Sequence, residues 1–473
     1  MSDTTQPSKF ELPTIIVIFG ITGDLVKKKI LKALYHLYRK KRLPSKFRVY
    51  GFSRRDYNND KLLAYLKDIM VSENFKEPEK YDSFLNAFSY VRGDFFEKEA
   101  YGRLAKLLGQ IDGQWSICSN KLYYLAVPPK SYSDIITNLH QTGLTKPCSP
   151  EEGWTRVILE KPFGTDLQTA LALDKQLGSL FKEEQIYRVD HYLAKETVKN
   201  ILVFRFSNSF LSPAWNNKYI EKITVRLFEK LDVQGRGNFF DKVGSLRDVG
   251  QNHMLQLLGL FLMETPEKFG PEEIKKKRSE ALSSLAIMTD EEVGKKTKRG
   301  QYQGYLSEKG VASDSQTETY FQIEANSKLP DFKGVPLILE SGKAMGQELI
   351  EVVVTFKETP MCLYEVEGEQ KNTLHYHLRP DEKISMKFLA KKPGFTNDIV
   401  EHELGFNYKE AYHKEAFIDD YESLLYDIIR GDQTLFVSTK EIFSQWRFIE
   451  PIIKVWNANK KPKLMLYEKG AKV

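Results

Sequence analysis

Cysteine is scarce in this chain: Cys118, Cys148 and Cys362 are the only three in 473 residues. Scattered and odd in number, they build no disulfide framework and offer no metal-ligand spacing, which points to a reducing compartment. Long apolar runs are also lacking. A stretch such as "LQLLGLFLM", Leu255 to Met263, falls far short of the ~20 residues that cross a bilayer. The opening "MSDTTQPSKFELP" has no apolar core, so no signal peptide is expected. An excess of one charge is missing as well. Lys and Arg number 70 against 64 Asp and Glu, leaving +6, too little over this length to imply a nucleic-acid partner, though a locally basic pocket is compatible with it. There is no internal repeat and no low-complexity tract. What remains is 41% hydrophobic and 28% charged, an ordinary globular composition in a chain long enough for two or three domains. A soluble, cytoplasmic protein with no membrane or nucleic-acid partner is expected.

The rhythm of the chain changes near residue 190. Before it, apolar strands ("TIIVIFG", "FRVYGFS", "SYVRG", "KLYYLAVPP", "RVILEKPFG") alternate with helical patterns ("KKILKALYHLYRKK", "SYSDIITNLH", "LQTALALDKQLGSLF"). Such alternation predicts a parallel sheet covered by helices on both faces. After it, a helix is expected over 190–206, and an apolar helix over 245–264. Strand patterns follow in "KITVRLFE", "VPLILES", "IEVVVTF", "TLHYHL" and "ISMKFLA". The segment 266–304, rich in Lys and Glu, reads as helical and exposed. The expected fold class is therefore α/β followed by α+β. Residues 1–189 form a doubly wound dinucleotide-binding domain of Rossmann type, and residues 190–473 a larger domain with a mostly antiparallel sheet.

Three motifs carry chemistry in the first part. In "IIVIFGITGDLVKKKI" a strand runs into Gly20, Ile21, Thr22 and Gly23, with a helix beginning near Asp24 and Leu25. Glycines there permit a tight turn and let backbone N–H groups approach a pyrophosphate. Only two glycines are present, so alone the turn fits many strand–helix junctions. The next strand ends in "VYGFSRRD", placing Arg54 and Arg55 where an acidic residue would favour NAD and a guanidinium suits the 2′-phosphate of NADP. Asp56 stands close enough to blunt that preference. In "RVILEKPFG", Lys161 is set at the carboxyl edge of the sheet, either as ligand contact or as an exposed turn.

"RVDHYLAKE" crowds Asp190, His191, Tyr192, Lys195 and Glu196 together. It reads either as a solvated helix start capped by Asp190 or as a site for an anion. In "LRDVGQNHMLQ", the local partner for His253 would be Asp248, but five residues on a 3.6-residue helix set the two about 140° apart. Together with "GRGNFFD", these motifs in this order resemble the glucose-6-phosphate dehydrogenase family, from about Thr14 to about Tyr467.

The resemblance implies NADP-linked oxidation of glucose 6-phosphate at C1 to the 6-phosphogluconolactone, the first step of the oxidative pentose phosphate pathway. NAD is the weaker alternative cofactor. It implies that His253 is the general base, oriented by Asp190, and that Lys161 bridges nicotinamide and substrate. His191, Tyr192 and Lys195 would hold the substrate phosphate; if that segment is helical, His191 and Lys195 share a face. Glu229, Asp248 and Lys343 would meet the sugar. Gly20, Ile21, Thr22, Gly23, Asp24, Leu25, Arg54 and Tyr90 would line the cofactor cleft.

The sequence departs from the family pattern at Ala194, where glycine is usual, at Glu340 in "ESGK", and at Arg379 in "HLRPDE". Glu340 and Glu348 replace basic residues that hold a second, structural NADP in some members, so none is expected here, nor any metal. A homodimer joined through the large-domain sheet is implied, with a homotetramer as alternative. Two other readings stay open. One is an NAD(P) oxidoreductase of the glucose–fructose oxidoreductase and inositol dehydrogenase type, acting on unphosphorylated sugars. The other is a non-enzymatic NADP sensor.

Overall fold

The computed structural model describes residues 12–148, 152–358, 371–396, 398–413, 417–459 and 461–471; Cys362 lies outside them. The described chain divides into two compact units. One holds the residues up to Gly164 with Gln168–Ala194 and Ile418–Val437; the other holds Thr165–Leu167, 195–417 and the residues from Ser438 onward.

The first unit is built on six parallel strands: β1 (Thr14–Phe19), β2 (Phe47–Ser53), β3 (Phe88–Arg92), β4 (Asn120–Leu125), β5 (Thr155–Glu160) and β6 (Ile186–Val189). Every residue of β1 and β4 is buried, as continuous apolar strands covered on both faces require. The spatial order is β3-β2-β1-β4-β5-β6. The chain therefore reverses direction across the sheet between β1 and β4, where dinucleotide-binding sheets open a crevice at their carboxyl edge. The expected doubly wound domain is present, with β6 as a strand the pattern missed.

Helix Asp420–Arg430 returns from far along the sequence to this unit. Its Glu422 carboxylate meets Lys40 Nζ at 2.6 Å and His36 Nδ1 at 3.3 Å. Arg156 donates to the carbonyl of Ile429 at 2.9 Å, and Gln433 Nε2 to that of Ile186 at 3.1 Å.

The helix expected from residue 190 starts later. Asp190 to Lys195 is a turn and the helix is Glu196–Ser207. The reason is local: Asp190 Oδ1 accepts from Tyr192 N at 3.0 Å and its carbonyl from Leu193 N at 3.0 Å. A short acidic side chain thereby closes a turn in place of capping a helix. The helical spacing that would put His191 and Lys195 on one face does not apply.

The second unit is a nine-stranded sheet: β7 (Ile220–Phe228), β8 (Thr297–Tyr302), β9 (Tyr320–Ala325), β10 (Leu337–Gly342), β11 (Leu349–Phe356), β12 (Thr373–Arg379), β13 (Lys383–Lys391), β14 (Ile399–Asn407) and β15 (Met465–Tyr467). Its order is β14-β13-β12-β11-β7-β10-β9-β8-β15. It is mostly antiparallel, as expected, but β7 pairs β10 in parallel, as does β8 with β15. A helix spans 244–262, and all eight residues of its second half, Leu255–Leu262, are buried.

Segment 266–304 is less exposed than its charge suggests. It holds helices Pro271–Ser283 and Asp290–Lys296, and then β8. Ile274 and Arg278, one turn apart, share the buried face. Arg278 is fully enclosed and pairs with Glu441 of helix Thr439–Asn459, with Nη2 3.2 Å from Oε2.

Glu160, the last residue of β5, accepts from the Tyr124 phenol at 2.6 Å, while Tyr132 donates to its carbonyl at 2.9 Å. Burial pushes its carboxyl up to about 7 against the lowering effects of Tyr124, Lys161 and Tyr421.

Two outcomes are expected. Arg278→Ala or Glu441→Ala strands a buried charge and should cost about 3–5 kcal/mol of unfolding free energy by denaturant titration, most of it recovered in an Arg278→Met, Glu441→Leu double variant. For Glu160, the folded chain keeps a proton that the unfolded chain releases above its ordinary value of 4.5. This destabilising contribution is absent below that pH and complete above about 7. Thermal melts of Glu160→Gln across this window should therefore decline less with rising pH than those of the parent; parallel curves would refute the assignment.

Candidate active site

In the first unit the site grows from the β1–β4 reversal. Gly20 has φ +83°, and a Cβ there would sit 2.5 Å from the Ala126 carbonyl oxygen just past β4. No other residue fits that crossing without moving the two strand ends apart. Gly20 N donates to Phe52 O and Gly23 N to Gly20 O, both at 2.8 Å. A helix then runs over 24–39, its residues Val26–Ile30 wound with π-type hydrogen bonds. The Ile21 side chain is fully buried and packs on Gly51, and Leu25 packs against the core. Both residues thus serve the turn through their backbone, with the helix N-terminus beyond it as the anion-binding end.

Arg54 and Arg55 are exposed just past β2. Neither is ion-paired among the described residues, whereas Asp56 is taken up by Arg92 at 2.8 Å. The carboxylate that could have opposed a phosphate is therefore occupied. Tyr90, expected in the cleft, has a definite task. Its phenol donates to the carbonyls of Ser53 at 2.8 Å and Arg55 at 2.6 Å, pinning the loop that carries both arginines. Thr22 Oγ1 lies 3.3 Å from Ser53 Oγ and joins the same loop to the glycine turn.

Lys161 follows β5 directly, before a cis Pro162. Asp190, His191 and Tyr192 follow β6. The His191 ring stacks on Tyr421 (centroids 6.4 Å, 22°) and meets Tyr192 edge-on at 4.8 Å. Tyr421, on the returning helix, also lies near the Glu160 carboxyl and acts on it electrostatically. It was missed by sequence reasoning, since nothing around residue 421 signals a partner in "EKP" or "DHY".

In the second unit, Glu229 and Lys343 stand immediately past the ends of the parallel neighbours β7 and β10, and Glu229 N donates to Gly342 O at 2.9 Å. Lys343 is buried. Its ammonium bonds the Glu229 carboxylate, lies 3.4 Å from Asp248 Oδ2 and sits 5.1 Å from the Phe240 ring centroid. The Tyr467 phenol anchors the Lys343 carbonyl at 2.8 Å. Two carboxylates around one ammonium leave acceptors for hydroxyl groups. Lys195 is at the N-terminus of helix Glu196–Ser207.

His253 is 1% exposed. Its stretch, Leu246–Met254, is π-helical, and hydrogen bonds between residues five apart bring Asp248 and His253 to one face. The 140° separation of an α-helix therefore does not hold. The Asp248 carboxylate nonetheless reaches Lys343.

The departures from the family pattern are also placed. Ala194 is buried in the first unit's core. Glu340 is buried and bonds Tyr320 (2.8 Å) and Arg226 (3.2 Å). Arg379 donates to Glu348 at 2.8 Å.

Comparison with known proteins matches residues 17–200 to the glucose-6-phosphate dehydrogenase NAD-binding domain and residues 202–472 to the glucose-6-phosphate dehydrogenase C-terminal domain. A glucose-6-phosphate 1-dehydrogenase of Borreliella burgdorferi is 37% identical over 452 residues, covering 93% of this chain and 91% of its own. Glucose-6-phosphate 1-dehydrogenase 2 of Mycobacterium tuberculosis is 34% identical, covering 97% and 91%. A solved glucose-6-phosphate dehydrogenase in complex with its substrate glucose 6-phosphate superposes with a TM-score of 0.90 at 33% identity, over 97% of this chain and 95% of that one. With both halves matched end to end and the strand order and site clusters in place, the chain belongs to the glucose-6-phosphate dehydrogenase family.

Proposed function

We propose that this chain oxidises glucose 6-phosphate at C1 to 6-phosphogluconolactone with NADP as the hydride acceptor. The observation that carries the reading is the Glu229–Lys343–Asp248 cluster at the end of β7 and β10, a set of hydroxyl acceptors in a chain whose whole length matches the family. In the proposed roles, residues 1–189 hold the cofactor and residues 190–473 the sugar and the dimer contact. The glycine turn and Arg54 fit NADP, because the helix N-terminus and an unpaired guanidinium both favour phosphate. NADP, when bound, accepts the hydride.

His253 takes the proton of the C1 hydroxyl, and Asp190 orients its ring and stabilises the imidazolium. His191, Tyr192 and Lys195 donate to the substrate phosphate, assisted by the helix dipole behind Lys195. Lys343 keeps two carboxylates together without mutual repulsion. A sugar lacking the matching hydroxyls leaves those acceptors unsatisfied, and that penalty selects the hexose. Lys161 contacts both substrate and cofactor. The setting we infer is a cytoplasmic homodimer; sedimentation separates it from a tetramer.

NADPH formation followed by absorbance should depend on the phosphate of glucose 6-phosphate, and His253→Asn should lower kcat by more than about a hundredfold. Comparable turnover of unphosphorylated glucose would instead favour the glucose–fructose oxidoreductase type. Arg54→Ala combined with Arg55→Ala should raise KM for NADP roughly tenfold or more while leaving KM for NAD nearly unchanged, the loss of charge-assisted bonds to one phosphate. Equal effects on both cofactors would remove the 2′-phosphate role.

A further inference from the structure

On β12, alternation sends Leu374, Tyr376 and Leu378 into the core and His375 and His377 to the opposite face. The antiparallel neighbour β11 places Glu351 directly across from His377. The two rings lie nearly parallel, with centroids 5.4 Å apart. Glu351 Oε2 is 3.4 Å from His377 Nδ1 and 3.9 Å from His375 Nδ1, and one ligand atom from each residue lies within 4.8 Å of the others.

The remaining atoms of the three side chains are already committed. Glu351 Oε1 accepts from Arg226 Nη1 at 3.0 Å, which leaves Oε2 to face the imidazoles. His375 Nε2 is 3.0 Å from Thr373 Oγ1. Its buried Nδ1 has no hydrogen-bond partner among the described residues. In the tautomer whose Nε2–H donates to the threonine, Nδ1 is the nitrogen that carries a lone pair for a metal. The Nδ1 of His377 faces the same Glu351 oxygen from the neighbouring position on β12. Three side chains of metal-ligand type thus bring one atom each to within 4.8 Å of the others.

The spacing suits a transition metal. Bonds of about 2.0–2.2 Å at tetrahedral angles put ligand atoms roughly 3.3–3.6 Å apart; the Glu351–His377 separation of 3.4 Å falls in that range and the Glu351–His375 separation of 3.9 Å lies a little beyond it. The Thr373 and Arg226 contacts match the outer-shell bonds that orient metal-binding histidines and carboxylates. Nearby charge does not oppose a cation: Arg226 lies against Glu340 as well as Glu351, and Lys383 is paired with Glu403. We propose that Glu351, His375 and His377 form a three-ligand site for a zinc-class divalent cation on the outer face of this sheet, with a fourth position open to water. The sequence led to no expectation of a metal, because the pair "HYH" lacks its third ligand until β11 and β12 are in register.

The test is calorimetric titration of the full-length protein with Zn2+ in a non-chelating buffer. The expected result is a component of one equivalent per chain that weakens at least about tenfold in His375→Gln and in His377→Gln, both of which keep metal-free dehydrogenase turnover. Thr373→Val, which touches no ligand atom, should weaken it through loss of ring orientation and serves if a histidine variant misfolds. No such component, or one unchanged in the His375→Gln, His377→Gln double variant, overturns the assignment.

Discussion

Parallel pairing imposes one constraint from which the functional geometry follows. A strand buried on both faces takes few polar side chains along its length, so chemistry collects where the strand ends. Gly20 follows β1, Arg54 follows β2, Lys161 follows β5 and Asp190 follows β6. The second unit repeats the arrangement at its parallel pair, where Glu229 follows β7 and Lys343 follows β10. Each of these residues stands one position past its strand. Because parallel neighbours end at the same edge, the hydrogen-bond register of the sheet itself gathers residues far apart in sequence.

Much of this could be read from the sequence. Continuous apolar runs ending in Gly, Arg-Arg or Glu-Lys-Pro marked both the strands and the side chains beyond them. What escaped was whatever depends on partners distant in sequence or on unusual backbone. β6 was hidden because its four residues abut the "DHYLAKE" turn, where Asp190 closes on Tyr192 and delays the helix to Glu196. The π-winding of 246–254 leaves no pattern that differs from an α-helix, yet it decides which residues share a face with His253. Likewise the charge of 266–304 suggested exposure, while Arg278 and Glu441 satisfy each other inside the unit.

The same distinction separates the two histidine-bearing clusters. "DHY" announces itself because a histidine, a phenol and a carboxylate are contiguous. "HYH" looks like an ordinary half-exposed strand until strand pairing supplies Glu351. Tyr90 is a parallel case on a smaller scale: a tyrosine in a strand pattern, whose phenol proves to staple the loop of Arg54 and Arg55.

The return of Ile418–Val437 to the first unit has a consequence for synthesis. The six strands that hold the glycine turn are complete by Val189, but Tyr421 and the Glu422 anchor are translated more than two hundred residues later. At ribosomal speeds of about 5–20 residues per second, that interval lasts on the order of ten seconds or more. Through it, the helix face that will meet Glu422 is exposed on the nascent chain. The first unit therefore reaches its final form only after residues 418–437 have been translated, well after its sheet is complete.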